Sequence, residues 1–251
     1  MKQIILAAGQ GTRLRPFTDT KPKCMVEIKG KPLLHHQLNT LDKCNINKED
    51  IAVVGGYMYE ALNSLGVKLY KNNDFASTNM VYTLFSAENF MSDKDDLIIS
   101  YGDIFYSPFI LKKLLKTSGD VVIAADIDWY DLWKIRMANP LDDAETFKID
   151  SEGNIYELGK KPQSINDVHA QYIGLIKISS QKVSSFIDHF HSLDRQEIYD
   201  GQNFKNMYMT SFIQSLIDIG WNVRPALFRG GWLEVDSVDD LKAYEKQNDI
   251  I

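Results

Sequence analysis

The feature that most restricts this chain is a short apolar run, Ile4-Ile5-Leu6, broken at once by Ala7-Ala8-Gly9-Gln10-Gly11-Thr12. The run reads as a buried strand, ended by small residues and two glycines. Backbone without side chains can approach a ligand closely. Amides turning through Gly9 and Gly11 converge on phosphate oxygens, Ala7 and Ala8 leave room for a flat base on the main chain, and Leu6 and Thr12 flank that surface. Arg13 and Lys23 add two cations at the same place, a guanidinium fork and a mobile ammonium. Together they predict a polyphosphate site.

Two other phosphate motifs do not fit. A dinucleotide-binding turn needs a third glycine where Leu14 stands, and no Gly-Lys-Ser/Thr of a Walker loop follows. With 251 residues and 44% hydrophobic composition the chain can bury a sizeable core, and it reads as one domain with insertions. A net charge of -6 argues against nucleic acid or a membrane surface as partner, while leaving room for a local basic pocket. Met1-Lys2-Gln3 leads straight into the first strand and no apolar run is long enough to span a bilayer, so a cytoplasmic location is expected. Cys24 and Cys44 make neither a disulfide framework nor a metal knuckle, and Cys24 reads as a buried spectator.

Behind the loop, Pro32 followed by Leu33, Leu34, Leu38 and Leu41 predicts a helix. The adjacent His35 and His36 on it point apart, so they make no metal clamp. A strand over 51–54 ends at Gly55-Gly56, which is either a ligand-facing strand end or a tight turn into a helix over 59–65. After a short strand over 67–70, the polar stretch 72–80 enters a helix through Leu84 and Phe85. Ser77 or Thr78 is expected to cap that helix, and Ser77, Thr78, Asn79 and Gly56 are candidates for nucleotide contact. The strand 97–100 ends in Tyr101-Gly102-Asp103. Its carboxylate either holds a hard cation against phosphate or caps the turn before Ser107-Pro108.

A strand over 120–125 leads into Asp126-Ile127-Asp128-Trp129-Tyr130-Asp131-Leu132-Trp133. Aromatics among carboxylates make either a cage for a cationic group or packed core. The helical spacing of Trp129 and Trp133 favours core, with Trp129 kept as a candidate acceptor contact. Residues 147–149 and 155–156 read as a hairpin, with Gly159-Lys160-Lys161-Pro162 behind it. A strand over 171–176 and helices over 180–190 and 212–219 follow. His189 and His191, two apart, cannot share a helical face. In Trp232-Leu233-Glu234-Val235-Asp236-Ser237, alternation places Glu234 and Asp236 on one face, while Ser237 caps a helix whose Asp239 and Asp240 complement its dipole.

Residues 6–23, with Gly30-Lys31-Pro32-Leu33-Leu34 after them, closely resemble the L-A-A-G-x-G-x-R-L-x-P-x-T…P-K…G-K-P-L signature of the sugar-phosphate nucleotidyltransferase superfamily. The resemblance implies an α/β fold, a Rossmann-like three-layer sandwich with a mixed, mostly parallel sheet. It implies coupling of a nucleoside triphosphate to a phosphorylated small molecule with release of pyrophosphate, using Mg2+. Carried over by motif, Arg13 holds the triphosphate, Lys23 meets the reacting phosphates, and Asp103 and Asp236 bind the metal. Lys160 and Lys161 are alternatives for the lysine facing the acceptor phosphate, if they are more than a solvated turn, and Gln171 borders the acceptor pocket. The expected layout is a nucleotide-binding part over about 1–125, an acceptor part over about 126–230 and a closing metal strand and helix over 231–251.

The sugar-activating enzymes carry a glycine-rich base loop where this chain has Ser77-Thr78-Asn79-Met80-Val81-Tyr82, which resembles instead the CTP-dependent branch that activates phosphocholine, phosphonates and related compounds. The expected activity is therefore a cytidylyltransferase joining CTP to a small phosphorylated acceptor, for decoration of surface glycan or lipid. The alternatives are a uridylyl- or thymidylyltransferase acting on a sugar 1-phosphate and, in another class, a nucleotide-binding regulator without turnover. Chemically no general base is required, since a phosphomonoester with a second pKa of about 6 is already nucleophilic at neutral pH.

Overall fold

In the computed structural model, which describes residues 1–245, the first strand lies inside the main sheet with two strands between it and the nearer edge. The strands are β1 (Lys2–Ala7), β2 (Ile51–Gly55), β3 (Lys68–Lys71), β4 (Leu97–Tyr101), β5 (Ile104–Tyr106), β6 (Val121–Asp126), β7 (Phe147–Ile149), β8 (Ile155–Leu158), β9 (Gln171–Ile178), β10 (Val223–Phe228) and β11 (Trp232–Glu234). Two further two-stranded ladders, at 27–32 and 198–203, lie outside the main sheet. The helices are α1 (Leu33–Lys43), α2 (Met80–Phe85), α3 (Pro108–Lys116), α4 (Trp129–Arg136), α5 (Ser180–Ser192), α6 (Met209–Asp218) and α7 (Val238–Glu245). Seven strands form one sheet in the order β10-β6-β9-β4-β1-β2-β3. Only β9 runs against its neighbours, pairing antiparallel with both β4 and β6.

A parallel strand covered on both faces must be apolar on both, and β1 is. Ile4 and Leu6 pack with Val81, Leu84, Phe186 and Phe212 from α2, α5 and α6. Ile5 and Ala7 face the opposite layer, where Leu34, Leu41, Leu111, Leu114, Trp129 and Trp133 come from α1, α3 and α4. These are the three layers of helix, sheet and helix that the resemblance implies. Strands of the expected nucleotide and acceptor parts share the one sheet, because β9 inserts between β4 and β6.

A third, smaller core explains how the two ends of the chain meet. Leu14, Val26, Ile28 and Leu33 from the loop region pack with Phe105, Leu233, Val235, Leu241 and Tyr244. The short ladder β5–β11 sets its register, with Leu233 opposite Phe105 and Glu234 opposite Ile104. The expected closing segment extends over 246–251, which lie outside the described residues.

Two local expectations are corrected. The helix expected over 59–65 is a single 3-10 turn, Tyr59–Leu62, ended by Asn63 and the short connection to β3. The cap of α2 is neither Ser77 nor Thr78 but Asn79, whose side-chain oxygen accepts from the Met80 amide at 2.9 Å. Thr78 instead receives a hydrogen bond from the Asn72 amide at 2.9 Å.

Candidate active site

At the carboxyl ends of β1 and β4, where parallel sheets present ligands, lies a cavity of about 300 Å³. The glycine loop forms one wall through Leu6, Ala7, Ala8, Gly9, Gly11, Thr12 and Arg13. Phe75, Thr78, Asn79, Met80 and Thr83, at and before the start of α2, form a second. Tyr101, Gly102, Asp103, Lys23, Cys24 and Asp236 close the far side.

Three glycines hold these walls together. Gly11 sits at φ +63°, and a Cβ there would stand 2.9 Å from Cβ of Lys23, so the loop lies directly on the lysine stem. Thr18 fixes the same turn by donating its hydroxyl to the Gly11 carbonyl at 2.8 Å. Gly102 donates its amide to the Leu6 carbonyl at 2.8 Å, and an added Cβ would lie 2.8 Å from that oxygen. This close approach sets Asp103 beside the loop. Gly56 does not line the cavity; it stands behind the wall, where a Cβ would meet Phe75 at 2.5 Å and Ala8 at 3.0 Å.

Asp103 and Asp236, from opposite ends of the chain, meet across Lys23. The Lys23 ammonium donates to Asp103 Oδ2 at 2.5 Å and to Asp236 Oδ1. The Val235 amide donates to the Asp103 carbonyl at 3.1 Å, which fastens the two strand ends to each other. Burial alone would lower the Lys23 pKa, but the charges of Asp103 and Asp236 outweigh it and hold it above the ordinary range. Burial alone would raise Asp236, and Lys23 with Arg13 and Arg136 holds it below the ordinary range. Glu234 is pushed up to about 8 by burial and by the adjacent Asp236. Arg13 reaches Asp236 Oδ2 at 3.4 Å while its side chain stays 68% exposed, free to turn to a ligand.

One oxygen each of Asp103, Glu234 and Asp236 lies within 4.8 Å of the others. Asp103 Oδ1 is buried without a hydrogen-bond partner. A hard divalent cation takes such an all-oxygen, carboxylate-rich set, so these residues fit magnesium.

The expected acceptor residues are not gathered here. Lys160 is exposed and pairs with Glu157 at 3.4 Å, and Lys161 donates to the carbonyls of Leu141 and Asp142 at 2.6 and 2.7 Å. Gln171 is buried at the start of β9, its amide on the Tyr172 carbonyl at 3.3 Å. Trp129 is 3% exposed, with its indole N–H on the Val168 carbonyl at 3.3 Å and its ring edge-on to Trp133. The acceptor contact expected of Trp129 is therefore corrected: it is core, as its helical spacing favours. Ser77 lies outside the cavity, hydrogen-bonded to the Asp74 carbonyl at 3.3 Å.

Sequence reasoning missed Arg136, Asp240 and the part played by Glu234. Arg136, 3% exposed, donates to Glu234 at 2.7 Å, Asp240 at 3.0 Å and Asp236 at 3.3 Å. The one local signal is its place three residues after Trp133, on the same helical face.

The MobA-like NTP transferase domain is recognised over residues 3–148, which carry the glycine loop, Lys23 and Asp103. The chain belongs to this family. It is 44% identical over 251 aligned residues, 96% of this chain and 98% of the relative, to a CTP:phosphoglutamine cytidylyltransferase of Campylobacter jejuni subsp. jejuni. It is 41% identical over 105 residues, 40% of this chain and 42% of the relative, to a choline-phosphate cytidylyltransferase of Streptococcus pneumoniae. In fold it is similar to the inositol-1-phosphate CTP transferase of T. maritima, with a TM-score of 0.74 at 21% identity, over 97% of this chain and 93% of that one.

Proposed function

We propose that this member of the NTP transferase family is a magnesium-dependent cytidylyltransferase, moving CMP from CTP to a small phosphorylated acceptor and releasing pyrophosphate. The observation that carries the reading is the end-to-end similarity to a CTP:phosphoglutamine cytidylyltransferase in a chain whose glycine loop, Lys23, Asp103 and Asp236 share one cavity. An acceptor of the phosphoamino or phosphocholine type fits the names of both relatives. A use of the product in surface glycan or lipid decoration and a cytoplasmic location are proposed with it, both resting on the resemblance. Among the described residues no helix is long and apolar enough to cross a membrane.

The chemistry asks for alignment and charge cancellation rather than a base. The acceptor phosphate is already anionic near pH 7 and must approach a second anion. The loop from Gly9 to Thr12 and the Arg13 guanidinium hold the β- and γ-phosphates, so that pyrophosphate leaves into a fixed set of donors. Lys23, kept charged by its two aspartates, offsets negative charge at the α-phosphorus. Asp103 and Asp236, with Glu234 beside them, would hold magnesium, which supplies charge neutralisation and polarises the phosphoryl oxygens when bound. Phe75 and the Thr78–Met80 segment line the cavity and would offer the wall for the base.

The test is pyrophosphate release measured with CTP, UTP, ATP and GTP against phosphoglutamine, phosphocholine and glucose 1-phosphate. Turnover is expected with CTP and a phosphorylated nitrogen compound. Preference for UTP with glucose 1-phosphate would overturn the reading in favour of a sugar-activating enzyme, and no turnover with any pair would favour a non-catalytic nucleotide sensor.

A further inference from the structure

We infer that Arg136 is a positioning residue that sets the free oxygens of Glu234 and Asp236 toward Asp103, so that α4 and its tryptophans serve as the platform of the metal site.

The guanidinium is a rigid fork with its donors aimed at three acids from the closing segment. Nη1 takes one Glu234 oxygen at 2.7 Å, Nη2 takes Asp236 Oδ2 at 3.3 Å, and Nε takes Asp240 Oδ1 at 3.0 Å. Asp236 is thereby left with Oδ1 turned to Lys23 and Asp103. Asp240 completes the brace: its Oδ2 accepts the amides of Asp236 and Ser237, both at 2.9 Å, so the backbone that carries Asp236 is tied to the same guanidinium. A lysine offers its donors from a single nitrogen on a flexible stem and does not reproduce the planar spread from which the guanidinium meets these three acids.

The aromatic cluster of α4 explains why the fork holds its place. Arg136 stacks over Trp133 at 4.9 Å from the ring centre, and Trp133 packs on Trp232 at 6.0 Å. Trp232 in turn donates its indole N–H to the buried Asp126 at 2.8 Å. Thus Trp133, one of the tryptophans that suggested a cation cage, packs on the protein's own guanidinium instead, while the acids that hold it come from the closing segment. Groups one shell out from metal ligands commonly change metal affinity by about 10–100-fold.

The inference rests on the proposed metal role of Asp103 and Asp236, and the test separates the two. Mn2+ is titrated into the free protein and followed by EPR, for wild type, Arg136→Lys and Asp240→Asn, with thermal melts to confirm folding. Both variants are expected to weaken Mn2+ at least about tenfold. Arg136→Lys is also expected to lower kcat while leaving the KM for CTP within about twofold, since Arg136 itself does not line the cavity and the glycine loop and the start of α2 are untouched. Wild-type Mn2+ affinity in either folded variant overturns the positioning role alone. A wild-type protein that turns over CTP yet binds no Mn2+ overturns the metal reading, and this inference with it.

Discussion

Lys23→Met removes the ammonium that Asp103 and Asp236 share, and its cost can be worked from the geometry. Oppositely charged groups with centres about 4 Å apart attract by about 4 kcal/mol at an effective dielectric of 20, so two pairs give about 8 kcal/mol gross. Desolvation cancels much of this, and removing one partner of a buried set costs about 3–5 kcal/mol. The three side chains are 15%, 20% and 13% exposed for Lys23, Asp103 and Asp236, which places the loss near the lower figure. For a chain of 251 residues about 3 kcal/mol lowers Tm by roughly 6–12 °C. The pH dependence has a fixed sign. In the wild type Asp236 is held below its ordinary pKa, so it adds stability that is present at neutral pH and lost as pH falls through the folded value. In the variant, burial is opposed only by the two arginines, the Asp236 pKa rises, and the acid no longer favours the fold at neutral pH. The gap in Tm between wild type and Lys23→Met should therefore be largest near pH 8 and shrink toward pH 5. Mn2+ or Mg2+ should raise the variant's Tm more than the wild type's, because it replaces the missing charge. Calorimetric melts at both pH values, with and without the cation, test this. A Tm gap under about 2 °C, or one that does not change with pH, would refute the electrostatic reasoning.

Gly102→Ala places a Cβ 2.8 Å from the Leu6 carbonyl and 3.1 Å from the Ala7 Cα. Both are backbone atoms of β1, so a cost of about 1–3 kcal/mol and displacement of Asp103 are expected, read as a lower Tm and a turnover at least about tenfold down; an unchanged kcat would show that Asp103 tolerates the shift. Glu145 is raised to about 7, by burial first and then by the charges of Asp143 and Asp200 against a hydrogen bond from Thr210. Its folded pKa lies above its unfolded one, so it favours the fold at low pH, and as pH rises through 7 up to about 3 kcal/mol is lost. Glu145→Gln should flatten the fall in stability between pH 5 and 8, and an unaltered pH profile would exclude this group as its source. Trp129→Phe loses the hydrogen bond to the Val168 carbonyl and should lower stability by about 1 kcal/mol, with the acceptor KM unchanged; a large rise in that KM would restore the cage.

What was legible in the sequence is what neighbours along the chain decide. The apolar run before Gly9, the strand 97–100 before Gly102-Asp103 and the alternation around Glu234 and Asp236 each carry their own local pattern, and the structure brings all three to one cavity. The cap of α2 went to Asn79 rather than Ser77 or Thr78, a choice set by the Asn79 amide bonding the Lys205 carbonyl far along the chain. The Arg136 network was not legible, because its acids lie some hundred residues further on and its position depends on how α4 and the closing segment pack. Asp240 looked like an acidic helix start and is in fact a buried brace. Lys160 and Lys161 show the limit from the other side: a lysine pair before a proline gives no sign of whether it meets a ligand or, like Lys161, the carbonyls of Leu141 and Asp142.

The most direct measurement is a crystal structure with CTP and Mn2+, phased to show the metal by its anomalous signal. The expected map has the triphosphate along Gly9–Thr12, one Mn2+ peak between Asp103 and Asp236, and the Lys23 ammonium turned from the carboxylates to the phosphates. Triphosphate bound elsewhere, or an anomalous peak away from both aspartates, would contradict the central claim that these residues form one site for phosphoryl chemistry.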